Sequence, residues 1–252
     1  MAMDALDSLR PITLEALEER AALLRRVDTK YLVAQADLTV LIEELARDHD
    51  VLEIDGQRRF SYRSVYFDTP DMRAFHDHVN GVRPRFKLRT RCYLDADTCQ
   101  FEVKLKREDD ETSKRQMPYP PAQAEQLTPE AIEFVAENLA EAGIAPAGEL
   151  RPQLSTEFDR VTLVARDGSS RITSDTSLRL RRLPGGAART MDASLALVET
   201  KSEDGGGRAD ELLRGAGFAP VSISKYRTGV DLLIERDGAA ESEAVRRAFG
   251  EA

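Results

Sequence analysis

The chain has 252 residues, of which 41% are hydrophobic and 32% charged, and its formal net charge is −9. This length allows one large β-rich domain or two small ones, each with a real hydrophobic core. The acidic balance argues against nucleic acid as a partner, because nucleic-acid-binding domains are usually basic. No apolar stretch reaches the roughly 20 residues that cross a bilayer, so we expect no membrane segment in this chain and a cytoplasmic location.

In chain order, the first half is predicted to contain a helix, a strand, a helix, a strand and a helix. Thr13 and Asp37 are candidate caps of the first two helices, and a turn signal at Asp68 ends the second strand. The predicted elements are a helix over 11–24, an extended segment over 25–33, a helix over 37–49, a strand over 60–67 and a helix over 71–80.

The next segment, residues 83–107, is predicted to be a hairpin with charge on one face only. Its charged residues occupy alternate positions and its apolar residues the positions between them, so the two sets point to opposite faces. The charged residues are Arg83, Arg85, Lys87, Arg89 and Arg91, followed by Glu102, Lys104 and Lys106. Bases this close repel one another unless an anion lies among them, and a polyphosphate is the anion we expect.

The turn of this hairpin also predicts which residues face each other. If Leu94 pairs with Asp97, then Cys92 pairs with Cys99 and Arg89 with Glu102. Both cysteines then lie on the apolar face, where we expect them to be reduced core thiols in a cytoplasmic protein.

The second half begins with an acidic loop, a basic segment and a proline-rich break, followed by a clear helix that Thr128 caps. Residues 146–152 form a linker that either marks a domain boundary or, as we favour, connects two halves of one sheet. Asp167-Gly168 is a hairpin signal between the next two strands. The predicted elements are the loop 108–111, the basic segment 114–116, the break 118–121, the helix 128–142, strands over 154–165, 170–182 and 195–201, the loop 205–207, the helix 209–215 and a polar surface helix after 239.

One-sided charge recurs on these other strands. Three pairs of charged residues are two positions apart on one strand and so share a face: Asp28 and Lys30, Glu199 and Lys201, and Arg179 and Arg181. Arg160 and Arg171 lie on the two strands of the hairpin that turns at Asp167-Gly168. Strands with charge on one face and hydrocarbon on the other can close into a barrel whose lumen is charged and whose outside is covered by helices.

Such a lumen suits a triphosphate. Arginine forks make bidentate phosphate contacts, lysine acts as a compact charge, and a few carboxylates can hold Mg²⁺ or Mn²⁺ against phosphate oxygens. No Ser-His-Asp or Cys-His nucleophile is evident. We interpret His76 and His78 as surface residues of a helix, and the glycines at 205–207 lack the context of a phosphate-binding P-loop.

With these motifs in this order, the chain resembles the VTC domain, the polyphosphate polymerase module among the triphosphate tunnel metalloenzymes, which are CYTH-like proteins. The resemblance spans about residues 25–233. Its motifs are Arg26-Val-Asp28-Thr-Lys30-Tyr31, Val65-Tyr66-Phe67-Asp68-Thr69, Arg85-Phe-Lys87-Leu-Arg89-Thr-Arg91, Phe101-Glu102-Val-Lys104-Leu-Lys106, Lys114-Arg115, Phe158-Asp-Arg160, Arg171-Ile-Thr173-Ser-Asp175, Leu197-Val-Glu199-Thr-Lys201 and Ser224-Lys225-Tyr226.

The resemblance implies an α+β, mainly antiparallel fold: an eight-stranded closed β-barrel tunnel with helices packed outside. The tunnel domain would span 25–235, with an N-terminal helix in 1–24 packed on it and a polar helix or tail at 236–252. Catalytic phosphate contacts are expected from Lys30, Arg89, Arg91, Lys104, Arg160, Arg171 and Lys225. Further phosphate contacts are expected from Arg85, Lys87, Lys106, Lys114, Arg115, Arg179, Arg181, Lys201 and Ser224. Glu199 would be the leading metal ligand, with Glu102 and Asp28 as candidates.

One departure helps to choose among relatives. The CYTH group opens with Glu-x-Glu-x-Lys, whereas the matching positions here are Arg26, Asp28 and Lys30, which favours the VTC branch. The resemblance therefore implies a polymerase that uses Mn²⁺ or Mg²⁺ to transfer the γ-phosphate of ATP or another triphosphate onto polyphosphate. A hydrolase of inorganic triphosphate or nucleoside triphosphates, with pyrophosphate also a possible ligand, and a non-catalytic polyphosphate or inositol-phosphate binding module both stay open, as does a membrane partner.

Overall fold

The computed structural model describes residues 3–20, 27–108, 111–235 and 241–250. Within these ranges, eleven strands form one mainly antiparallel sheet. The strands are β1 (Arg10–Ile12), β2 (Val27–Ala34), β3 (His49–Leu52), β4 (Phe60–Asp68), β5 (Arg85–Tyr93), β6 (Thr98–Lys106), β7 (Thr112–Tyr119), β8 (Arg151–Ala165), β9 (Ser170–Arg182), β10 (Ala188–Thr190) and β11 (Leu195–Ser202). The helices are α1 (Met3–Asp7), α2 (Leu14–Arg20), α3 (Gln35–Leu45), α4 (Arg73–Val79), α5 (Pro129–Glu141), α6 (Arg208–Gly215), α7 (Lys225–Val230), which continues as a π-helical turn over Asp231–Glu235, and α8 (Glu243–Ala248).

Eight strands form the main path of the sheet, in the order β2-β11-β9-β8-β4-β5-β6-β7. Neighbours along this path are antiparallel. Off the path, β1 pairs in parallel with β3, β3 pairs with β8, and β10 pairs with β9. The number of strands in the path matches the expected tunnel.

The expected closure into a barrel is wrong, because among the described residues β2 and β7 end the path and do not pair with each other. The edge of β2 that a closed barrel would pair with β7 makes a different hydrogen bond: the carbonyl of Lys30 accepts the backbone N–H of Val221 at 2.7 Å. On the other edge, β7 contains Pro118, which has no N–H to donate to a further strand. The sheet is therefore open.

Helices cover the face of the sheet opposite to the charged one. Over β2, β8, β9 and β11, the helices α3 and α6 bury Leu38 and Leu213 against strand residues such as Tyr31. Over β4, β5 and β6, α5 buries Leu139 against residues such as Phe101. These two apolar layers confirm that helices pack outside the charged face. We call this covered side the convex face and the charged side the concave face.

Part of the concave face is closed by a third apolar cluster. Tyr226 and Val230 of α7 pack there with Tyr66, Phe158 and Leu197 from the sheet. The Tyr226 hydroxyl donates to the buried carboxylate of Asp68. This core fixes the position of α7 beside the remaining, charged part of the concave face.

The N-terminal helices differ from their predicted bounds. Residues 10–12 form β1, and α2 begins at Leu14 with Thr13 accepting the N–H of Ala16 at 3.3 Å; the predicted end at 21–24 lies outside the described residues. The helix predicted over 37–49 begins at Gln35, so Asp37 is not its cap, and it ends at Leu45 because His49 enters β3. Side chains buried on both faces of β3 explain why a period-two pattern was not visible there.

The other predicted helices and strands differ from the observed ones by a few residues at their ends. Thr128 caps α5 as predicted, and its hydroxyl accepts the N–H of Ala131 at 3.2 Å. The predicted break at 118 is wrong, since β7 runs through Pro118 to Tyr119, as an edge strand allows. The predicted linker already becomes β8 at Arg151. The C-terminal segment does form a helix, but α8 is not a polar surface element, because Val245 and Phe249 are buried in the third cluster; residues 236–240 lie outside the described ranges.

The described helices include none with the length and apolar character that a bilayer crossing requires.

Candidate functional site

The β5–β6 hairpin has the predicted two-faced character. Burial alternates along β5: Arg85, Lys87, Arg89 and Arg91 are half-buried on the concave face, and the residues between them are buried on the convex face. The register confirms the predicted pairs, with Arg89 opposite Glu102 and Cys92 opposite Cys99. Both cysteines are free and buried.

Glu102 is the centre of one ionic group on the concave face. Only 2% of it is exposed, and it accepts hydrogen bonds from Arg89 Nε at 2.6 Å and Lys114 Nζ at 3.4 Å. Burial would raise the pKa of Glu102, but Arg89, Arg91 and Lys114 outweigh it and lower that pKa to about 2. Arg89 also donates to the Tyr66 hydroxyl at 3.2 Å, a partner that the sequence analysis did not identify.

A second ionic group centres on Asp175, which the sequence analysis quoted in a motif but did not assign to the site. Arg160 donates to both of its oxygens, at 2.6 and 2.8 Å, and Lys225 of α7 pairs with it as well. Burial opposes ionisation of Asp175, yet the two cations keep its pKa below the usual range. The sequence offered a signal that Asp175 belongs to the site. Asp175 lies two residues from Thr173 and four from Arg171, so all three share one face of the strand.

The third group joins β2 and β11. Lys30 lies opposite Glu199, and Asp28 opposite Lys201. The ammonium of Lys201 is 2.7 Å from Asp28 Oδ2 and 3.2 Å from Glu199 Oε1, and Lys30 Nζ is also 3.2 Å from Glu199 Oε1. Burial disfavours the charge on Glu199, but Lys201 and Lys30 hold its pKa well below the usual range. Two carboxylates thus converge on one ammonium.

Three concave-face cations have no carboxylate in direct contact among the described residues. Arg91 lies over the ring of Tyr62, with 5.9 Å from Cζ to the ring centroid, and its buried Nε has no hydrogen-bond partner. Burial and the neighbouring Lys104 and Arg85 lower the pKa of Lys87 to about 7. Burial and Arg89 also lower the pKa of Lys104. These side chains are placed to meet an anion.

Electrostatic neighbours show that the charged strands curl toward one another. Lys104 on β6 is influenced by Asp28 and Glu199, which lie at the far end of the strand order on β2 and β11. Lys225 of α7 is influenced by Glu199 as well. The ionic groups therefore surround one common space, although the sheet is open.

Most of the predicted site residues share this face. By register, Lys106 lies opposite Arg85, Lys114 beside Lys104, and Arg171 opposite Lys201. Ser224 Oγ accepts a hydrogen bond from Lys87 Nζ at 3.3 Å.

Three predicted phosphate-binding residues do not lie on the concave face. Arg115 is opposite Val103 on the convex side and pairs with Glu141 of α5 at 2.5 Å. Arg179 and Arg181 share the parity of Arg171 in the sequence, but β9 is irregular near Ser177, which has a φ of 54°. The extra residue reverses the alternation, so that both arginines lie on the opposite face, where Arg179 is exposed and Arg181 half-buried. A bulge of this kind leaves no clear sequence signal.

His78 corrects the interpretation of the histidine pair. His76 is exposed, as expected, but His78 is half-buried, and the charges that act most strongly on it are Lys87, Arg227, Arg85 and Lys104. Burial and these cations lower the pKa of His78 to about 3. This histidine therefore belongs to the rim of the concave site.

The expected Mg²⁺ or Mn²⁺ would need oxygen ligands on the concave face. The described residues contain no cluster of three or more metal-ligating side chains. Magnesium is often held by only one or two carboxylates, with substrate phosphates and water completing its shell. Asp28 and Glu199, which already share the Lys201 ammonium, fit that requirement. Glu102 does not, because Arg89 and Lys114 occupy its oxygens.

Comparison with known proteins gives a family and a fold. A Hippeastrum protein described as an adenylyl cyclase with a dominant triphosphatase activity superposes with a TM-score of 0.51, 14% identity, and coverage of 81% of this chain and 94% of that one. A Pyrococcus horikoshii protein has a TM-score of 0.38 at 12% identity, covering 70% and 77% of the two chains. A conserved hypothetical protein from Pyrococcus furiosus has a TM-score of 0.39 at 13% identity, covering 76% and 88%.

A search of curated proteins found no match. The sequence model of the VTC domain, in contrast, matches residues 25–234. Because this match extends over most of the chain, the protein belongs to the VTC domain family.

Proposed function

We propose that this protein is a metal-dependent polyphosphate polymerase that transfers the γ-phosphate of ATP, or of another nucleoside triphosphate, onto a polyphosphate chain. The observation that carries the proposal is the concave face, where cations outnumber carboxylates among the described residues and come from strands far apart in the sequence. In an acidic protein, such a charge excess needs an anion of high charge density. A chain of linked phosphates meets that need.

The cations divide into two roles. Arg91, Lys87 and Lys104, which contact no carboxylate among the described residues, bind phosphate oxygens directly. Arg89, Arg160 and Lys225 are held in place by Glu102 and Asp175 and present their remaining donors to the phosphates. Arginine supplies forked contacts and lysine a point charge, so the two types together accommodate successive phosphates.

Asp28 and Glu199 would hold the metal once Lys201 turns from them to a phosphate. A divalent ion held there would supply positive charge that offsets the negative charge developing on the phosphates during transfer. The terminal phosphate of the acceptor chain is already ionised, so its oxygen attacks the γ-phosphorus without help from a general base, and ADP departs. The protein's own contribution is to align donor and acceptor and to stabilise charge. We place this reaction in the cytoplasm, where ATP is available.

The test is to incubate the purified protein with ATP and Mn²⁺ and to resolve the products on a polyphosphate gel. Long chains, abolished in Glu199→Gln while polyphosphate still binds, are the expected result. The matched control is Glu157→Gln, which removes a half-buried carboxylate from the convex side of β8 and should leave the products unchanged. Binding without any turnover would instead indicate a non-catalytic module and refute the proposal.

A triphosphatase is the second candidate, and the fold shared with the Hippeastrum protein, which is described by that activity, favours it. The same site would then align water as the acceptor. Release of free phosphate from ATP or tripolyphosphate, with no chains longer than the substrate, would decide for this function.

A further inference from the structure

Helix α4 holds His78 at a defined place beside the concave face. Asp68 accepts the backbone N–H groups of Ala74 at 2.8 Å and Phe75 at 3.0 Å, which anchors the start of the helix. The Tyr226 hydroxyl donates to the same carboxylate and ties α4 to α7. The imidazole of His78 is therefore positioned by the core and not by a mobile loop.

The charges that act most strongly on this imidazole are all positive. Arg85 and Lys87 face it from β5, Lys104 from β6 and Arg227 from α7. The nearby acids are already engaged: Asp77 of α4 pairs with Arg73 at 3.7 Å, and Glu241 pairs with Arg227 at 2.8 Å. The buried Nδ1 of His78 has no hydrogen-bond partner in the described part of the chain. A buried polar atom of this kind usually has a partner, so its environment is incomplete without a ligand.

We propose that His78 is a phosphate-binding residue that takes up a proton when a phosphate chain lies across Lys87 and Lys104. This inference rests on the proposed function, because it assumes that phosphates occupy the concave face. Without an anion, burial and the four cations keep the ring neutral. A bound phosphate reverses the local potential, the ring takes a proton from solvent, and the imidazolium then donates hydrogen bonds to phosphate oxygens. No covalent bond forms or breaks in this step.

The size of the change follows from the charges. An opposite charge within about 4–6 Å raises the pKa of a base by about 1–3 units, and a phosphate chain brings more than one such charge. Starting from about 3, His78 would thus titrate near the ordinary histidine range when the ligand is bound. Phosphate chains should bind more tightly at pH 6 than at pH 8, with part of this difference due to His78.

The test uses NMR of protein labelled at histidine, since the chain has three histidines and a His78→Gln variant assigns the signal. In the free protein, the His78 signal should not titrate between pH 5 and pH 8. With saturating tripolyphosphate its midpoint should rise by about 2 units or more, while His76, which is exposed on the same helix, changes by less than about 0.5 unit. Assignment from His49 and His76 variants would serve if His78→Gln did not fold.

A second measurement compares affinities. The ratio of tripolyphosphate affinities at pH 6 and pH 8 should fall by about fourfold in His78→Gln relative to the matched variant His76→Gln, which is the proton linkage expected if the pKa of His78 rises from about 3 to about 6.5 on binding. Tripolyphosphate that binds while the His78 titration stays unchanged would overturn this inference alone. Absence of any binding would overturn the proposed function as well.

Discussion

Replacing Asp175 tests most directly whether the paired cations Arg160 and Lys225 bind the phosphate ligand. It is 2% exposed and pairs with both Arg160 and Lys225, each of which keeps 14% of its side chain exposed. Asp175→Asn preserves the shape and removes the charge, so two cations remain close together without their shared anion. We expect the variant to fold less stably and to depend on an anionic ligand.

The magnitude follows from the burial of the group. Removing one partner of a buried ion pair costs about 3–5 kcal/mol, and we expect the lower end, about 3 kcal/mol, because both cations retain some contact with water. For a protein of this size, about 1 kcal/mol shifts Tm by about 2–4 °C, so Tm should fall by about 6–12 °C. Saturating tripolyphosphate supplies negative charge to the same cations and should restore at least about half of that loss.

Thermal unfolding followed by circular dichroism, with and without tripolyphosphate, measures both effects. The control is Glu149→Gln, which removes the carboxylate of an exposed pair with Arg151 at 2.8 Å and should cost less than about 1 kcal/mol. If Asp175→Asn loses the same stability in the presence and absence of tripolyphosphate, Arg160 and Lys225 do not meet the ligand, and the reasoning about the site is refuted.

Three further predictions concern single cations and one carboxylate. Arg91→Ala should weaken tripolyphosphate binding by about tenfold or more in calorimetry, whereas Arg179→Ala on the convex face should change it by less than about twofold. The pKa of Lys87 lies near 7 in the folded protein and near 10.5 when unfolded, so the unfolded state binds more protons between these values; stability should rise from pH 7 to pH 10, and Lys87→Met should flatten that rise in urea titrations. Glu102 has a folded pKa of about 2, below its ordinary value, so its stabilising effect is present above about pH 4.5 and is lost toward pH 2; Glu102→Gln should show a shallower acid limb in the same titrations.

The strands with strict alternation were predictable because local sequence decides their faces. On β5, four cations alternate with apolar residues, so burying the apolar residues puts all four cations on the other face. The register between β5 and β6 followed from the short turn that joins them. The convergence of Lys30, Arg89 and Lys225 came from resemblance to a family, since nothing in the sequence alone brings residues so far apart together.

The features that the sequence did not predict depend on tertiary packing, which a local residue pattern does not encode. The irregularity at Ser177 reversed the faces of Arg179 and Arg181. The edge of β2, which barrel closure would have paired with another strand, instead accepts the N–H of Val221 at the carbonyl of Lys30. His78 looked like a surface residue because helical spacing says which side of α4 it occupies but not which element packs there. Each of these is a tertiary effect that overrides a correct local pattern.

The unpaired seam between β2 and β7 affects which molecules the concave face can admit. A hydrogen-bonded ladder fixes neighbouring strands about 4.8 Å apart and would hold a sealed bore at one diameter. Across this seam, no ladder in the described residues sets the spacing. For the polymerase that we propose, an open concave face would leave room for the ribose and base of a nucleotide as well as for a bare phosphate chain.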